Sequence, residues 1–473
     1  PKISKLQCFS TDISLKKCGY VNFFIAELVC AKSRGEILKP KTMEFPIFRA
    51  NFKGMKVSNM AANLIGSEII KIGNEVNELI RNGAQICNLT IGDFDPNHYP
   101  IPKELQEGIT DAYLKNNTNY PPANGEMSLR KSIADFLLNK GNLTYSTDEI
   151  LVAGGSRPLI YATYLALLDP GDKVVFPIPS WNNNHYCHLT GAVPVMVATA
   201  AENNFMPTAS DIAPHLKGAT LLSLCSPLNP TGTMFTQKDL AEICDLVIAE
   251  NASRTADEKP LYLMYDQVYW TLTFGDHKHY DPIHLRPALR NYTIYIDGIS
   301  KSFAATGVRV GWAFGPQAVI DKMKAILGHV GAWAPKAEQI ATAVFLKNDQ
   351  AIENFMVPFK SQIKSSLDAL HTGFQTLKSE GIPVDSIEPM GAIYLTVKVD
   401  IQGMKTADGK VLENSMDITS YILSHAQLAM VPFSAFGLTK HSEWFRLSVG
   451  AANEATILAS FERLKKAIAE LNK

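Results

Sequence analysis

Short β-rich segments alternate with helical ones from about residue 143 onward, and this alternation restricts the chain to few architectures. Apolar residues at helical spacing predict a helix over 158–168, and the strands are predicted over 150–153, 173–176, 193–197, 220–224, 261–265 and 293–296. Such alternation is typical of a mostly parallel sheet covered by helices. Because functional groups in these sheets lie where strands end, the strand ends are where functional side chains are expected.

The rest of the chain carries weaker signals. Residues 1–50 show no sustained period and are interpreted as a flexible arm or extension. Further elements are predicted as helices over 69–80, 316–346 and 453–471 and as strands over 87–91 and 392–399. With 473 residues, the chain has room for two or three domains.

Charge and cysteine usage exclude several classes of protein. The 45 basic and 46 acidic residues leave a formal net charge of −1, which excludes a whole-chain basic surface for nucleic acid. The seven cysteines stand singly without a C-x-x-C pair, so neither a metal site nor a disulfide framework is indicated, and a cytoplasmic location is expected. No run of about 18 apolar residues occurs, so no membrane helix is predicted.

The first strand end carries two consecutive glycines. It continues as Gly155-Ser156-Arg157-Pro158 into the predicted helix. Free N–H groups at a helix N-terminus bind phosphate, and glycine lets the backbone approach the anion closely. The segment alone is more typical of a tight strand-to-helix turn. It is not a G-x-G-x-x-G fingerprint, so a dinucleotide is not indicated.

Three further strand ends carry aromatic or polar side chains. Trp181 could stack on a planar ring or pack half-buried, and Asn229 lies in a turn among Pro and Gly. Asp266 ends an apolar strand, where a buried carboxylate is costly unless a cation or strong donors pair with it. A protonated ring nitrogen would serve as that partner, and so would local backbone N–H groups.

The segment over residues 297–312 is the most specific. Lys301 follows a strand end among small and apolar residues, where loss of hydration lowers the pKa of its amine and suits it to Schiff-base chemistry. Ser300 and Arg309 supply a hydroxyl and a guanidinium, which are the side chains that bind phosphate.

These motifs resemble those of the class I/II aminotransferases, the fold-type I enzymes that use pyridoxal phosphate, and most closely the aspartate aminotransferase branch. Residues 300–311 match the S-K-x-x-x-x-x-G-x-R-x-G signature of that family. N-P-T-G is present at 229–232, D-x-x-Y as Asp266 and Tyr269, and P-x-W at 179–181.

The resemblance implies an α/β fold of the pyridoxal-phosphate transferase type I. A mostly parallel seven-stranded sheet would lie in a large domain, accompanied by a smaller α+β domain. The implied domains are an N-terminal arm (1–50), the first part of the small domain (51–91), the large cofactor domain (92–325) and the C-terminal small domain (326–473).

The resemblance also implies a role for each cofactor-facing residue. Lys301 would hold pyridoxal phosphate and move a proton, and Asp266 would pair with the ring nitrogen and keep it protonated. Tyr269 and Asn229 would donate to the phenolic oxygen, and Trp181 would stack on the ring. The phosphate would be held by Gly155, Ser156, Arg157, Ser300, Arg309 and, from the neighbouring subunit, Tyr120. The implied active site is therefore shared across a homodimer.

The implied substrate site centres on an arginine. Arg446 matches the family arginine that clamps the substrate α-carboxylate, and the backbone of Gly92 would lie beside that carboxylate, with Trp181 and Asn229 nearby. Ser156 stands where some aspartate-type relatives carry a lysine for the distal carboxylate. Either Arg157 substitutes for that lysine, or the pocket favours aromatic or neutral amino acids.

The resemblance predicts an aminotransferase that exchanges an amino group between an L-amino acid and a 2-oxo acid by a ping-pong mechanism. No metal, nucleic acid or membrane is expected as a partner. One alternative is a lyase of the same fold, such as a carbon–sulfur lyase. Another is a non-enzymatic regulator with an aminotransferase-like domain, although residues 1–66 lack the pattern of a DNA-binding module.

Overall fold

The structure, a computed structural model, describes residues 56–64, 66 and 68–472. The predicted arm over 1–50 lies outside these residues, as do Cys8, Cys18 and Cys30. From Ser58 onward the chain forms one unit, to which all the elements below belong.

Most of the strands are short. In chain order they are β1 (Cys87–Asn88), β2 (Ile150–Ala153), β3 (Lys173–Ile178), β4 (Val193–Ala198), β5 (Ala219–Cys225), β6 (Tyr262–Asp266), β7 (Thr293–Gly298), β8 (Gly311–Phe314), β9 (Val384–Ser386), β10 (Tyr394–Val399), β11 (Leu428–Ala429), β12 (Val431–Pro432) and β13 (Trp444–Ser448).

Helices connect and cover these strands, and several begin at polar caps. The side chain of Thr236 accepts from a backbone N–H of α8, and Asn453 does so for α15. In chain order the helices are α1 (Asn59–Asn63), α2 (Glu68–Arg81), α3 (Lys103–Leu114), α4 (Met127–Gly141), α5 (Ser156–Leu167), α6 (Asn183–Thr190), α7 (Ala209–Ile212), α8 (Gln237–Ser253), α9 (Pro282–Leu285), α10 (Ile299–Ser302), α11 (Gln317–Val330), α12 (Lys336–Phe345), α13 (Asp349–Ser379), α14 (Ser415–Ala426) and α15 (Glu454–Ala469).

The central sheet has seven strands in the order β2-β8-β7-β6-β5-β3-β4. The strands β7, β6, β5, β3 and β4 run parallel to one another, whereas β8 runs antiparallel to both β2 and β7. Both faces are covered, because Ile294 and Ile296 of β7 pack in one apolar cluster and Tyr295 packs in another. The predicted α/β class with a mostly parallel seven-stranded sheet is confirmed.

A second, four-stranded antiparallel sheet has the order β12-β13-β10-β9, and β1 pairs in parallel with β11. In the four-stranded sheet Arg446 of β13 lies opposite Thr396 of β10. Because side chains alternate along a strand, Tyr394 shares a face with these two residues. This sheet thereby brings Arg446 and Tyr394 to the same place.

The strand predictions in the central sheet are confirmed within two residues at each end. Others were wrong. The helix predicted over 316–346 is two helices, since Gly331 adopts a positive φ of 73° and Pro335 precedes α12. The strand predicted over 87–91 is only β1. The strand predicted over 392–399 is confirmed, but it starts at Tyr394 because Ala392 has a φ of 60°. The domain boundaries at 91/92 and 325/326 stay predictions.

Among the described residues, no helix is both long and apolar enough to cross a membrane. In the same part of the chain, no three or more His, Cys, Asp or Glu side chains are grouped so that they could hold a metal ion.

Candidate active site

A cavity of about 560 Å³ lies at the carboxyl ends of β5, β6 and β7, and residues of β10 and β13 also line it. This is the edge at which parallel sheets present their functional side chains. The predicted site residues that line it are Gly92, Ser156, Arg157, Trp181, Asn229, Asp266, Tyr269, Ser300, Lys301, Arg309 and Arg446. Gly155 adjoins it through Arg309, whereas Tyr120 does not line it.

Lys301 lies in α10, directly after β7. Its Nζ donates a hydrogen bond to the carbonyl oxygen of Gly92 at 2.5 Å. Burial lowers the pKa of this amine to about 8, and the nearby guanidinium groups of Arg446, Arg157 and Arg309 contribute in the same direction, while Asp93 opposes them. A substantial fraction of the amine is therefore unprotonated at mildly alkaline pH, the state in which it is a nucleophile.

Asp266 is the last residue of β6 and faces the same cavity. Burial raises the pKa of its carboxyl group to about 6, and the N–H of Val268 donates to it at 3.1 Å. No ion pair forms at Asp266 within the described residues. A cationic group in the cavity would stabilise the carboxylate and lower its pKa again.

The glycine turn before α5 fits closely around Arg309. Gly155 has a φ of 91°, and a Cβ on it would lie 2.3 Å from Nη2 of Arg309. Arg309 donates to the carbonyl oxygens of Thr306 at 2.6 Å and Gly154 at 2.9 Å, which fixes the guanidinium beside the first N–H groups of α5. Together with Ser156 and Ser300 they form a cradle for an anion.

Arg446 lies buried in β13 without an acidic partner among the described residues. Its Nη1 donates to Oδ1 of Asn229 at 3.1 Å, and its Nη2 donates to the carbonyl oxygen of Thr90 at 2.6 Å. Its Nε has no hydrogen-bond partner there. A buried guanidinium of this kind is costly unless an anion pairs with it, so the site is suited to a carboxylate.

Arg157 and Trp181 form a pair at the cavity wall. The Cζ of Arg157 lies 4.6 Å from the centre of the half-buried indole ring of Trp181. Arg157 is exposed and forms no ion pair with the described residues. Stacking on a ring holds the guanidinium in place while leaving its N–H groups free to bind an anion.

Tyr120 lies outside this arrangement. Its side chain is 81% exposed, and its ring packs edge-on against Trp333 at 5.3 Å between ring centres. Its predicted contact with the phosphate site of a neighbouring subunit stays a prediction.

Sequence reasoning missed several residues of the cavity, among them Tyr394 and Asp93. Tyr394, in β10, places its hydroxyl 2.6 Å from that of Tyr269. Asp93 follows Gly92 and accepts from the hydroxyl of Thr306 at 2.6 Å. Tyrosine is common in strands, so the segment around Tyr394 carried no functional signal. Asp93 follows a predicted strand end and could have been singled out there.

Known proteins resemble this chain over most of its length. The family model described as aminotransferase class I and II matches residues 84–464. An aspartate aminotransferase of Rhizobium meliloti (strain 1021) is 28% identical over 422 residues, covering 89% of this chain and 98% of that protein. A bifunctional aspartate aminotransferase and glutamate/aspartate-prephenate aminotransferase of Petunia hybrida is 29% identical, over 85% of this chain and 80% of that protein.

Solved structures show the same fold. The crystal structure of the aspartate aminotransferase from Rhizobium meliloti has a TM-score of 0.80 and 27% identity, covering 89% of this chain and 100% of that one. The Thermus thermophilus aspartate aminotransferase with maleate has a TM-score of 0.77 at 24% identity, covering 87% and 100%.

Proposed function

The chain belongs to the class I and II aminotransferases, and we propose that it holds pyridoxal phosphate in this cavity and takes dicarboxylic amino acids as donors. The family uses this cofactor. The observation that carries the proposal is the amine of Lys301, whose pKa is lowered to about 8 in a cavity that also contains Asp266, Arg309 and Arg446.

The residues present fit the cofactor. The cradle of Gly155, Ser156, Ser300 and Arg309 would hold its phosphate, because a Cβ at Gly155 would fill the space beside the guanidinium. Asp266, which lacks a cationic partner among the described residues, would pair with the ring nitrogen. Trp181 would lie against the ring, and Tyr269 and Asn229 would donate to its phenolic oxygen. When bound, the cofactor supplies an aldehyde that condenses with amines and a ring that accepts electrons from the substrate Cα.

The protein's own residues would orient the substrate and move one proton. Arg446 would hold the α-carboxylate with two parallel hydrogen bonds, which fixes the direction of the Cα–H bond. The carbonyl oxygen of Gly92 accepts a hydrogen bond from Nζ of Lys301. Gly92 also lies beside Arg446, since a Cβ built on it would be 3.6 Å from Nη1, so the amine is held close to the clamp. Nζ would take the proton from the Cα of the donor amino acid. In the second half-reaction it would deliver a proton to the Cα of the new amino acid.

The cationic groups of the cavity support this substrate class. With Arg309 on the phosphate and Arg446 on the α-carboxylate, Arg157 remains available for a second carboxylate. Arg157 is stacked on Trp181 and without an ion pair in the described part of the chain. The relatives whose names include aspartate support the same class. An aromatic or neutral donor would leave Arg157 unused.

A half-reaction screen of the twenty amino acids, followed by the loss of the cofactor's visible absorbance, tests the proposal. We expect aspartate or glutamate to react fastest. In R157Q the KM for the dicarboxylic donor should rise by about tenfold or more, with neutral donors unchanged. R290Q is the matched control, because Arg290 stacks on Tyr145 outside the cavity, 4.0 Å from the ring centre. Release of pyruvate or ammonia without amination of the cofactor would instead identify a lyase.

The proposed assembly is a homodimer in which Tyr120 reaches the neighbouring phosphate site, and the proposed location is the cytoplasm. The exposure of Tyr120 beside Trp333 supports the first. The four described cysteines support the second, because Cys87, Cys187, Cys225 and Cys244 are all free thiols.

A further inference from the structure

Two tyrosine hydroxyls meet where the central sheet and the four-stranded sheet come together. The hydroxyl of Tyr394, the first residue of β10, lies 2.6 Å from that of Tyr269, which follows β6. Both side chains are almost fully buried, Tyr394 at 1% and Tyr269 at 3% exposure. Burial raises the pKa of both phenols, so each carries its proton at neutral pH.

The proposed role of Tyr269 fixes the direction of this hydrogen bond. Either hydroxyl can be the donor in the pair itself, but each phenol has a single proton. If Tyr269 donates into the cavity, it has no proton left for Tyr394 and must accept one from it. The hydroxyl of Tyr394 is then the donor of the pair.

Tyr394 also contacts the carboxylate clamp. The Cζ of Arg446 lies 4.8 Å from the centre of its ring, within the range of a cation–π interaction. The hydroxyl approaches the backbone so closely that a Cβ on Gly92 would lie 2.7 Å from it. The ring and the hydroxyl of Tyr394 therefore touch two different parts of the site.

We propose that Tyr394 is a positioning residue, whose hydroxyl donates to Tyr269 and thereby directs the Tyr269 proton at the cofactor's phenolic oxygen, while its ring supports Arg446. This inference rests on the proposed function. A hydroxyl whose oxygen accepts a hydrogen bond becomes a better donor itself, and here that hydroxyl is the one of Tyr269. Tyr394 thus strengthens a hydrogen bond in which it takes no direct part.

The test separates the hydroxyl from the ring. In Y394F the ring remains under Arg446, so KM for amino acids should stay within about twofold of the native value. The pH midpoint of the bound cofactor's colour change should rise by about 0.3–1 unit, because the phenolic oxygen receives a weaker hydrogen bond. In Y394L the ring is lost as well, and KM should rise by about threefold or more.

Y421F is the matched control. Tyr421 is buried in α14 and donates to the carbonyl oxygen of Ala467 at 2.7 Å, so this variant also loses one internal hydrogen bond. Its colour midpoint should stay at the native value. An unchanged midpoint in Y394F, or an equal shift in Y421F, overturns the inference. Native protein that forms no coloured adduct with pyridoxal phosphate would overturn the proposed function instead.

Discussion

The amine of Lys301 is the group whose chemistry depends most on its surroundings. Its pKa of about 8 in the protein without cofactor reflects burial among guanidinium groups. We predict that the rate of recombination with pyridoxal phosphate rises about tenfold per pH unit below pH 8 and levels off above it, since only the neutral amine condenses. Stopped-flow absorbance of the recombination measures this profile.

K301A provides the control for that profile. It should bind the cofactor without a borohydride-reducible adduct, and the reduced native protein should carry its label on Lys301 alone. A label on another lysine, or a rate independent of pH, would contradict the assignment.

We expect the buried carboxyl group of Asp266 to lower the free energy of unfolding of the cofactor-free protein at neutral pH. Burial raises its pKa from 3.8 to about 6, so the folded protein without cofactor binds this proton more tightly than the unfolded chain does. The favourable contribution of the protonated group is complete below about pH 4 and is lost as the pH rises through about 6. We predict that D266N, without cofactor, is more stable than the native protein at neutral pH by up to about 3 kcal/mol, with no such gain below pH 4.

Thermal unfolding of the cofactor-free proteins at the two pH values measures this difference. The same variant should lose most of its activity, because a neutral amide cannot keep the ring nitrogen protonated. D276N, on the exposed loop after β6, is the control and should change neither property. A destabilised D266N at neutral pH would show that the carboxylate is well solvated in the cavity.

The sequence was most informative about strands that are short apolar segments between turn-forming residues. Apolar segments bounded by Gly, Pro or polar residues located the strands from β2 to β7. It did not locate β8, because Gly311–Phe314 directly continues the signature around Lys301 and was not separated from it, although Gly315 and Pro316 mark the end of the strand. It also did not separate α11 from α12, since the apolar period continues across Gly331.

The candidate site was predictable where a motif carried it. The signature around Lys301 and the strand end at Asp266 indicated side chains that the fold brings to one cavity. Tyr394 could not be predicted, because its position depends on how β10 lies against the segment after β6. Such a contact between distant parts of the chain leaves no local pattern.

The turn between β2 and α5 allows a test with a well-matched control. Gly155 and Gly171 both have a positive φ, of 91° and 94°, so alanine strains the backbone at either position. A Cβ at Gly155 would displace Arg309, whereas one at Gly171 would meet no atom of the described residues within 4 Å. We predict that G155A binds pyridoxal phosphate at least about tenfold more weakly and that G171A does not.

Equilibrium titration of the two variants measures the affinities, and the melting temperatures of both variants should fall. Equal affinities in G155A and the native protein would mean that Arg309 takes no part in holding the phosphate.

At the scale of the whole molecule, the proposed homodimer predicts complementation between two defective variants. K301A lacks its amine, and Y120A lacks the side chain proposed to reach the partner's phosphate site. A mixed dimer would contain one site with both defects and one native site. We predict that unfolding and refolding an equal mixture restores about one quarter of native activity, because half of the dimers are mixed.

Activity after refolding, compared with each variant refolded alone, measures the effect. Y113A, which alters another exposed tyrosine of this region, should give no complementation with K301A. No gain on mixing Y120A and K301A, or an active monomer in sedimentation, would contradict a site shared between subunits.

The position of β8 in the central sheet has a consequence for the order of synthesis. Among the described strands, β2 pairs only with β8, so the backbone of Ile150 gains its ladder partner when Phe314 is in place. A chain growing on the ribosome therefore exposes the edge of β2 while more than a third of the polypeptide is still being made. Such delayed pairing between distant segments slows folding and favours contact with chaperones. The two halves of the phosphate cradle, after β2 and before β8, are united only when this late strand has emerged.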